Sequence, residues 1–185
     1  MPNRDNGSMQ YFQTWAVFLL GTFLLGCSPG LNWRDVRPAQ APVFALFPCK
    51  PEAAERRLPL GDKEIVVKML ACEADEAVFT LAYAELKPDV KQGELLDLWR
   101  TATLSQMKAK TSTQVPFTLE GALSLPQSSR LVAQGSRPDG QQLAVHASWF
   151  AVGSVAFQAA IYFSDESAKA NSAVADTFFS GLKIQ

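Results

Sequence analysis

Residues 141–163 read QQLAVHASWFAVGSVAFQAAIYF, and this segment decides the fold. Apolar and polar or small residues alternate on both sides of Gly153-Ser154, a pair typical of turns. Residues that share one strand face are Leu143, Val145, Ala147 and Trp149 before the turn, and Val155, Phe157, Ala159, Ile161 and Phe163 after it. The alternation predicts two long antiparallel strands, 141–152 and 155–163.

More strands are predicted on the N-terminal side of this hairpin. Residues 130–135 form a strand that is separated from the hairpin by Arg137-Pro138-Asp139-Gly140, a strong turn sequence because Pro fixes φ and Gly tolerates positive φ. The earlier predicted strands are 43–47, 54–60, 64–72 and 77–85. In the last of these both faces are partly apolar, so we expect it to be covered on both sides.

Two segments have helical periodicity. In residues 91–108 apolar side chains recur at spacings of three and four, which predicts a helix with one core-facing stripe. Its members are Leu95, Leu96, Trp99, Ala102, Thr103 and Met107. A last helix begins after Ser164 or Asp165, either of which suits an N-cap, and carries Asn171, Val174, Ala175 and Phe178 on one side, with Gly181 at its end. The predicted class is α+β.

Residues 111–129 are expected to be rich in loops and mobile, with one short strand at Phe117–Leu119, because Pro116, Gly121, Pro126 and several serines interrupt them. Residues 28–42 carry three prolines and predict a tether. Trp33 leaves two alternatives open there: a first short strand in LNWRDV that packs on the domain, or a free tether.

The apolar run from Trp15 to Leu25 is too short to cross a bilayer and has the length of a signal-peptide core. Leu24-Leu25-Gly26-Cys27 at its end resembles the bacterial lipobox, which implies that Cys27 is lipidated after cleavage. An uncleaved membrane anchor and a buried N-terminal helix are the alternatives. The lipobox resemblance also implies sorting, since Ser28 is not the aspartate that retains lipoproteins in the inner membrane. We therefore expect the outer membrane, with the protein facing the periplasm.

Cleavage would remove 26 of 185 residues and leave 159, enough for one compact domain. Cys49 and Cys72 then remain as an even pair in an oxidising compartment, which favours a disulfide over two reduced thiols. We divide the chain into a signal peptide (1–26), a lipidated tether (27–42) and one domain (43–185).

Charge excludes one class of partner. The exported part carries 16 Lys and Arg residues, which is 17 less Arg4, and 17 Asp and Glu residues, which is 18 less Asp5. Binding of nucleic acid needs a surplus of cations on one face, so we expect no such partner. The densest pairs, Arg56-Arg57 and Asp75-Glu76, are interpreted as solvated surface.

Motifs of catalysis are absent from the sequence, including G-x-S-x-G, H-E-x-x-H, Cys-x-x-Cys and a phosphate-binding glycine loop. The single histidine, His146, lies near Ser148 on the same strand face, where side chains run parallel and do not meet. We interpret it as a structural or surface residue, with a metal-ligand or acid-base role as the alternative. Two acidic pairs, Glu94 with Asp97 and Asp165 with Glu166, are expected to lie on a wet helix face and at a helix N-terminus. No metal, cofactor or enzymatic activity is expected.

The order of elements resembles the PsbP-like superfamily. The resemblance rests on Phe44-Ala45-Leu46-Phe47-Pro48 with Pro51, the meander through Tyr83, the helix at 95–107, the Asp139-Gly140 hairpin, and the closing 178–184 segment FFSGLKI. Among bacterial members, DcrB-type lipoproteins are similar to this chain. The resemblance implies an antiparallel sheet with helices packed on both faces, an α/β/α sandwich, and a non-enzymatic role in binding other proteins.

These observations lead to a first hypothesis: a lipid-anchored, non-catalytic envelope protein that binds a protein partner through a sheet edge or through residues 111–129. An alternative is a carrier or sensor of a small apolar ligand between sheet and helix, suggested by Trp99, Trp149, Phe157 and Phe178. A hydrolase built around His146 is the third hypothesis.

Overall fold

The structure is a computed structural model, which describes residues 30–60, 63–164 and 172–185. The predicted signal peptide, Cys27, Ser28, Asp165 and Glu166 lie outside the described residues. The elements in chain order are β1 Arg34–Val36, β2 Val43–Phe47, β3 Glu52–Leu60, β4 Lys63–Ala74, β5 Ala77–Glu85, α1 Gln92–Gln106, β6 Thr111–Pro116, β7 Ser129–Ser136, β8 Gln142–Val152, β9 Val155–Ser164, α2 Ser172–Ser180 and β10 Lys183–Ile184.

Seven strands form the main sheet in the order β3-β4-β5-β9-β8-β7-β6, and every neighbouring pair is antiparallel. The sheet consists of two meanders joined where β5 pairs with β9. Phe79 lies opposite Ile161 at this junction, so the two halves share a β-branched and aromatic seam. The prediction of an α+β domain with an antiparallel sheet is confirmed.

Alternation along the central strands divides the core in two. On β9, Phe157, Ile161 and Phe163 belong to the cluster that contains Phe178 of α2, whereas Ala156 and Ala160 belong to the cluster that contains Trp99 of α1. The same alternation holds on β8, where Trp149 and Phe150 fall into different clusters. Both faces of the central strands are therefore buried, as the two-sided sequence of residues 77–85 predicts.

A second sheet of three strands, β1-β2-β10, packs beside α2. Its strand β1 decides between the two alternatives for Trp33. The Trp33 ring meets the Phe79 ring edge-on at 6.2 Å, and the Asn32 amide donates to the Pro48 carbonyl at 2.7 Å. The segment before residue 43 is thus packed on the domain through Trp33.

The predicted strand at Phe117–Leu119 is wrong, because those residues have no regular structure and the strand lies earlier, at Thr111–Pro116. The reason is that β6 is exposed along its whole length and carries no apolar alternation. β10 also has no counterpart among the predicted strands; two residues are too few to show a period.

The disulfide between Cys49 and Cys72 is confirmed, with their Cα atoms 6.0 Å apart. It joins the segment after β2 to β4 of the main sheet. By limiting the unfolded chain, a loop of this size contributes about 3 kcal/mol to stability. In the described part of the chain, neither helix is long and apolar enough to span a membrane.

Candidate functional site

The main sheet ends in two edge strands, and they differ in chemistry. On the β3 edge, Glu55, Arg56 and Arg57 are exposed, and Pro59 follows close behind. The Arg57 guanidinium pairs with the Glu64 carboxylate at 3.2 Å across the β3-β4 ladder. Charges and proline on an edge strand oppose pairing with another strand, so β3 is a blocked edge.

The β6 edge lacks those features. Its sequence TSTQVP has no charged residue, all six residues are exposed, and no other described strand lies beyond it. Thr111, Thr113 and Val115 favour the extended conformation because they are β-branched. β6 is therefore an open edge.

The direction of the free backbone groups follows from the ladder. The Phe117 amide donates to the Ser128 carbonyl at 3.1 Å, and inward and outward groups alternate along an antiparallel strand. Ser112, Gln114 and Pro116 accordingly turn their backbone groups away from β7. Pro116 fits this position because it has no N–H to give to the ladder. The open edge offers the amides of Ser112 and Gln114 and the carbonyls of all three residues.

The end of α1 positions this edge. Lys108 takes a left-handed φ of 45°, and the Ala109 amide donates to the Leu104 carbonyl at 2.9 Å, as in a Schellman helix end. The Ser136 amide of β7 then donates to the Met107 carbonyl at 2.7 Å. Gly135 permits this close approach, because a Cβ there would overlap the Met107 carbonyl oxygen. The helix end is thereby docked on β7, and the chain leaves it directly into β6.

A cleft of about 540 Å³ opens between the last turns of α1 and the start of β6. It is lined by Thr101, Leu104, Ser105, Lys108, Ala109, Lys110, Thr111 and Ser112. The two lysines are exposed, and neither forms an ion pair with a described residue. The cleft is therefore positively charged on the side of the open edge.

Residues 117–128, predicted as a mobile loop, are fixed at several points. Arg100 of α1 donates to the Gln127 carbonyl at 3.3 Å and to the Ser129 hydroxyl at 3.1 Å, and it also pairs with Asp97. The Leu123 amide donates to the Ala151 carbonyl at 2.8 Å. Phe117, Leu119 and Ala122 pack against the α2-side core, while Leu125 packs against the α1-side core. The loop that follows β6 therefore packs against both cores.

His146 lies half-buried on the α2 side of β8, with its ring 5.3 Å from the Phe163 ring. Burial lowers the pKa of His146, the Arg130 guanidinium lowers it further, and Asp176 opposes the shift. Arg130 itself pairs with Asp176 at 3.0 Å. The Ser148 hydroxyl is fully buried and, like Nδ1 of His146, has no hydrogen-bond partner among the described residues, so no nucleophile-base bond joins the two.

The other predicted residues lie apart from one another. Glu94 pairs with Lys91 at 3.4 Å on an exposed part of α1, and Asp97 pairs with Arg100 beside the fixed loop. Asp75 and Glu76 form the β4-β5 turn with φ values of 50° and 58°. Within the described ranges, no group of three or more His, Cys, Asp and Glu residues could hold a metal ion.

The four aromatic residues proposed for an apolar ligand do not surround a common space. Trp99 and Trp149 belong to the α1-side core, whereas Phe157 and Phe178 belong to the α2-side core. All four are buried. Their side chains form the packing between the sheet and the elements that cover it.

Sequence reasoning missed both β6 and Arg100. The only local signal for β6 is its β-branched content, which is weak where apolar alternation is lacking. Arg100 has no signal in the sequence, because its partners at Gln127 and Ser129 are more than 25 residues away. Their importance comes from contacts that only the folded chain makes.

No known protein-family profile matches the chain, and no curated protein matches it. Among solved structures, it is similar to the solution structure of cyanobacterial PsbP (CyanoP) from Synechocystis sp. PCC 6803. The TM-score is 0.45 at 10% sequence identity, and the match covers 86% of this chain and 96% of that chain. A similarity this distant gives no information about function.

Proposed function

We propose that this protein is a lipid-anchored, non-catalytic envelope protein that binds a protein partner by strand addition at the β6 edge. The anchor is a lipid on Cys27, and Ser28 directs the protein to the outer membrane, facing the periplasm. The domain is proposed to be a PsbP-like α/β/α sandwich with helices on both sheet faces, similar to DcrB-type lipoproteins. No nucleic acid or cofactor takes part.

The observation that carries the proposal is the open β6 edge. Unpaired backbone amides and carbonyls in an extended strand form a ready template for another strand, which proteins usually block. Here the opposite edge, β3, carries charges and a proline, while β6 carries no charge. The fixed loop and the docked end of α1 hold β6 in one position, so little conformational freedom is lost when a strand binds.

The test uses a proline that blocks the edge without breaking the ladder. In Gln114→Pro the lost amide is one that faces outward, so the domain keeps its hydrogen bonds to β7. Crosslinking in intact envelopes followed by pull-down should recover a specific partner with the wild type and lose it with Gln114→Pro. Gln114→Ala is the matched control, since it removes the side chain but keeps the amide, and it should retain the partner. Capture that survives Gln114→Pro, with unchanged unfolding temperature, would contradict binding at this edge.

The lipid anchor is tested separately. Cys27→Ser should abolish labelling by a fatty-acid analogue and block processing, because the thiol is the acceptor of the diacylglycerol. Cys49→Ser is the control and should still be labelled. A Cys27→Ser protein that is labelled and processed normally would show that the anchor is elsewhere.

A further inference from the structure

We infer that the segment bound at the β6 edge is an extended strand of alternating acidic and apolar residues. The inference rests on the proposed function, since it names the partner segment for the same edge. The inference follows from a chemical difference between the α1-side and α2-side faces of the sheet next to β6. Successive side chains of such a strand point to opposite faces, so each face selects every second residue.

The α1-side face selects acidic residues. Ser112 and Gln114 share this face of β6, and the cleft at the start of the strand is lined by Lys108 and Lys110. Neither lysine has an acidic partner among the described residues. The hydroxyls of Thr101 and Ser105 add hydrogen-bond donors for a carboxylate. An aspartate or glutamate placed over this cleft would thus gain charge-assisted hydrogen bonds.

The α2-side face selects apolar residues. Thr113 and Val115 of β6 lie on this side, and Val132 of β7 lies opposite Thr113. Val115 is 52% exposed and Val132 is 41% exposed, which is high for valines on a sheet face. Arg130, opposite Val115, is already engaged by Asp176 and by the Phe179 ring, so it leaves Val115 as the main contact for an added strand. An apolar side chain on the added strand would pack against Val115 and remove it from water.

Synthetic peptides test this inference with the full chain in detergent micelles. The probe is an acetylated and amidated peptide, Thr-Val-Glu-Val-Glu-Val-Thr-Ser. Its two comparison peptides are the version with Lys for each Glu and an isomer with the acidic residues in one block. Binding is measured by isothermal titration calorimetry, and contact with β6 by the amide shifts of Ser112 and Gln114. The acidic alternating peptide should bind at least about tenfold more tightly than either comparison peptide, and more weakly as salt is raised.

Reversing the charges of Lys108 and Lys110 tests whether these two lysines cause the preference for acidic peptides. Lys108→Glu with Lys110→Glu should weaken the acidic peptide about tenfold and strengthen the lysine peptide. Lys50→Glu with Lys87→Glu changes the net charge equally at remote exposed sites and should leave the preference unchanged. An equal affinity for acidic and basic peptides, or no binding of the acidic peptide at millimolar concentration, would overturn the inference.

The outcomes also separate this inference from the proposed function. If Gln114→Pro removes the partner in envelopes while the peptide preference is absent, the edge binds a partner of other composition. If Gln114→Pro leaves the acidic peptide bound, the peptide binds outside the edge and the inference is wrong, while capture in envelopes still decides the proposed function. If the full chain forms a dimer that Gln114→Pro abolishes and acidic peptides do not compete with it, the occupant is a second copy, and the inference is wrong.

Discussion

The β3 and β6 edges are alike in exposure and different in almost everything else. β3 presents three consecutive charged residues at positions 55–57 and a proline, and its neighbour β4 is joined by the disulfide to the segment that precedes β3. β6 presents threonine, serine, glutamine and valine and has no covalent link. It is held in place by the docked end of α1 and by the loop that Arg100 fixes.

The difference shows that two exposed edges of one sheet can differ in how readily they accept another strand. A charged side chain must lose water when a strand pairs beside it, and this desolvation costs less for threonine and glutamine. The chain therefore blocks one edge and leaves the other available. The predictions below test this contrast, beginning with the change of largest expected effect.

The double variant Cys49→Ser with Cys72→Ser tests how much the disulfide stabilises the β3 side of the sheet. We expect the free energy of unfolding to fall by about 3 kcal/mol, since the closed loop no longer restricts the unfolded chain. Hydrogen exchange should increase more in β3 and β4 than in β6 and β7. Chemical denaturation and amide exchange measure both effects. A loss below about 1 kcal/mol would mean that the disulfide does not stabilise this side.

The support of β6 by the helix end is tested by Gly135→Ala. A Cβ at this position would overlap the Met107 carbonyl oxygen, so α1 must move away from β7. We expect a loss of about 2 kcal/mol in unfolding free energy, with faster amide exchange at Ser136. Gly30→Ala is the control, because a Cβ there meets nothing within 4 Å. Equal stability of the two variants would show that the helix end does not depend on this contact.

The loop behind β6 is tested at Arg100. Arg100→Met removes the hydrogen bonds to Gln127 and Ser129 and should lower the free energy of unfolding by about 1 to 2 kcal/mol. Arg100→Lys keeps the positive charge but lacks the planar guanidinium with its paired donors. Its free energy of unfolding should therefore lie between those of Arg100→Met and the wild type. Thermal unfolding gives the stability, and amide exchange at Phe117 shows whether the loop has loosened. Full recovery with lysine would mean that charge alone fixes the loop.

His146 provides a test of pH dependence on the β8 strand. The pKa of His146 is lowered in the folded state, chiefly by burial. Below about pH 6.5 the unfolded chain therefore binds a proton at His146 more readily than the folded chain does. The free energy of unfolding should therefore fall as the pH falls below that value, and level off below the folded-state pKa. His146→Gln should lack this component. Because the chain has a single histidine, the difference between the two pH profiles belongs to His146. Parallel profiles would contradict the lowered pKa.

The smallest effect on stability is expected when the two arginines of β3 are replaced. Arg56→Thr with Arg57→Thr should change the unfolding free energy by no more than about 0.5 kcal/mol, because both side chains are exposed and the Arg57–Glu64 pair lies in solvent. Self-association should nevertheless rise, since the edge loses its block. Sedimentation at several concentrations measures it. Lys50→Thr with Lys87→Thr alters the net charge equally and should leave self-association unchanged if the charges act locally.

The central elements were predictable because their signals are local. Residues 77–85 and 155–163 alternate on both faces, and the structure has strands at Ala77–Glu85 and Val155–Ser164. The helical stripe at 91–108 corresponds to α1 at Gln92–Gln106. The even cysteine pair at positions 49 and 72 correctly predicted the disulfide. The lipid anchor at Cys27 stays a prediction.

The sequence by itself determined the buried strands and the helix α1, because periods of two and of about 3.6 residues reflect burial along one element. It also indicated which cysteines could pair. Only the tertiary structure decided which strands are edges, since β9 lies beside β5, at least 70 residues away, and thereby leaves β3 and β6 at the ends. β6 has no burial pattern from which it could be predicted, because all six of its residues are exposed. These residues form a strand because β7 supplies their hydrogen-bond partners. The sequence of one segment does not show which other segment it pairs with.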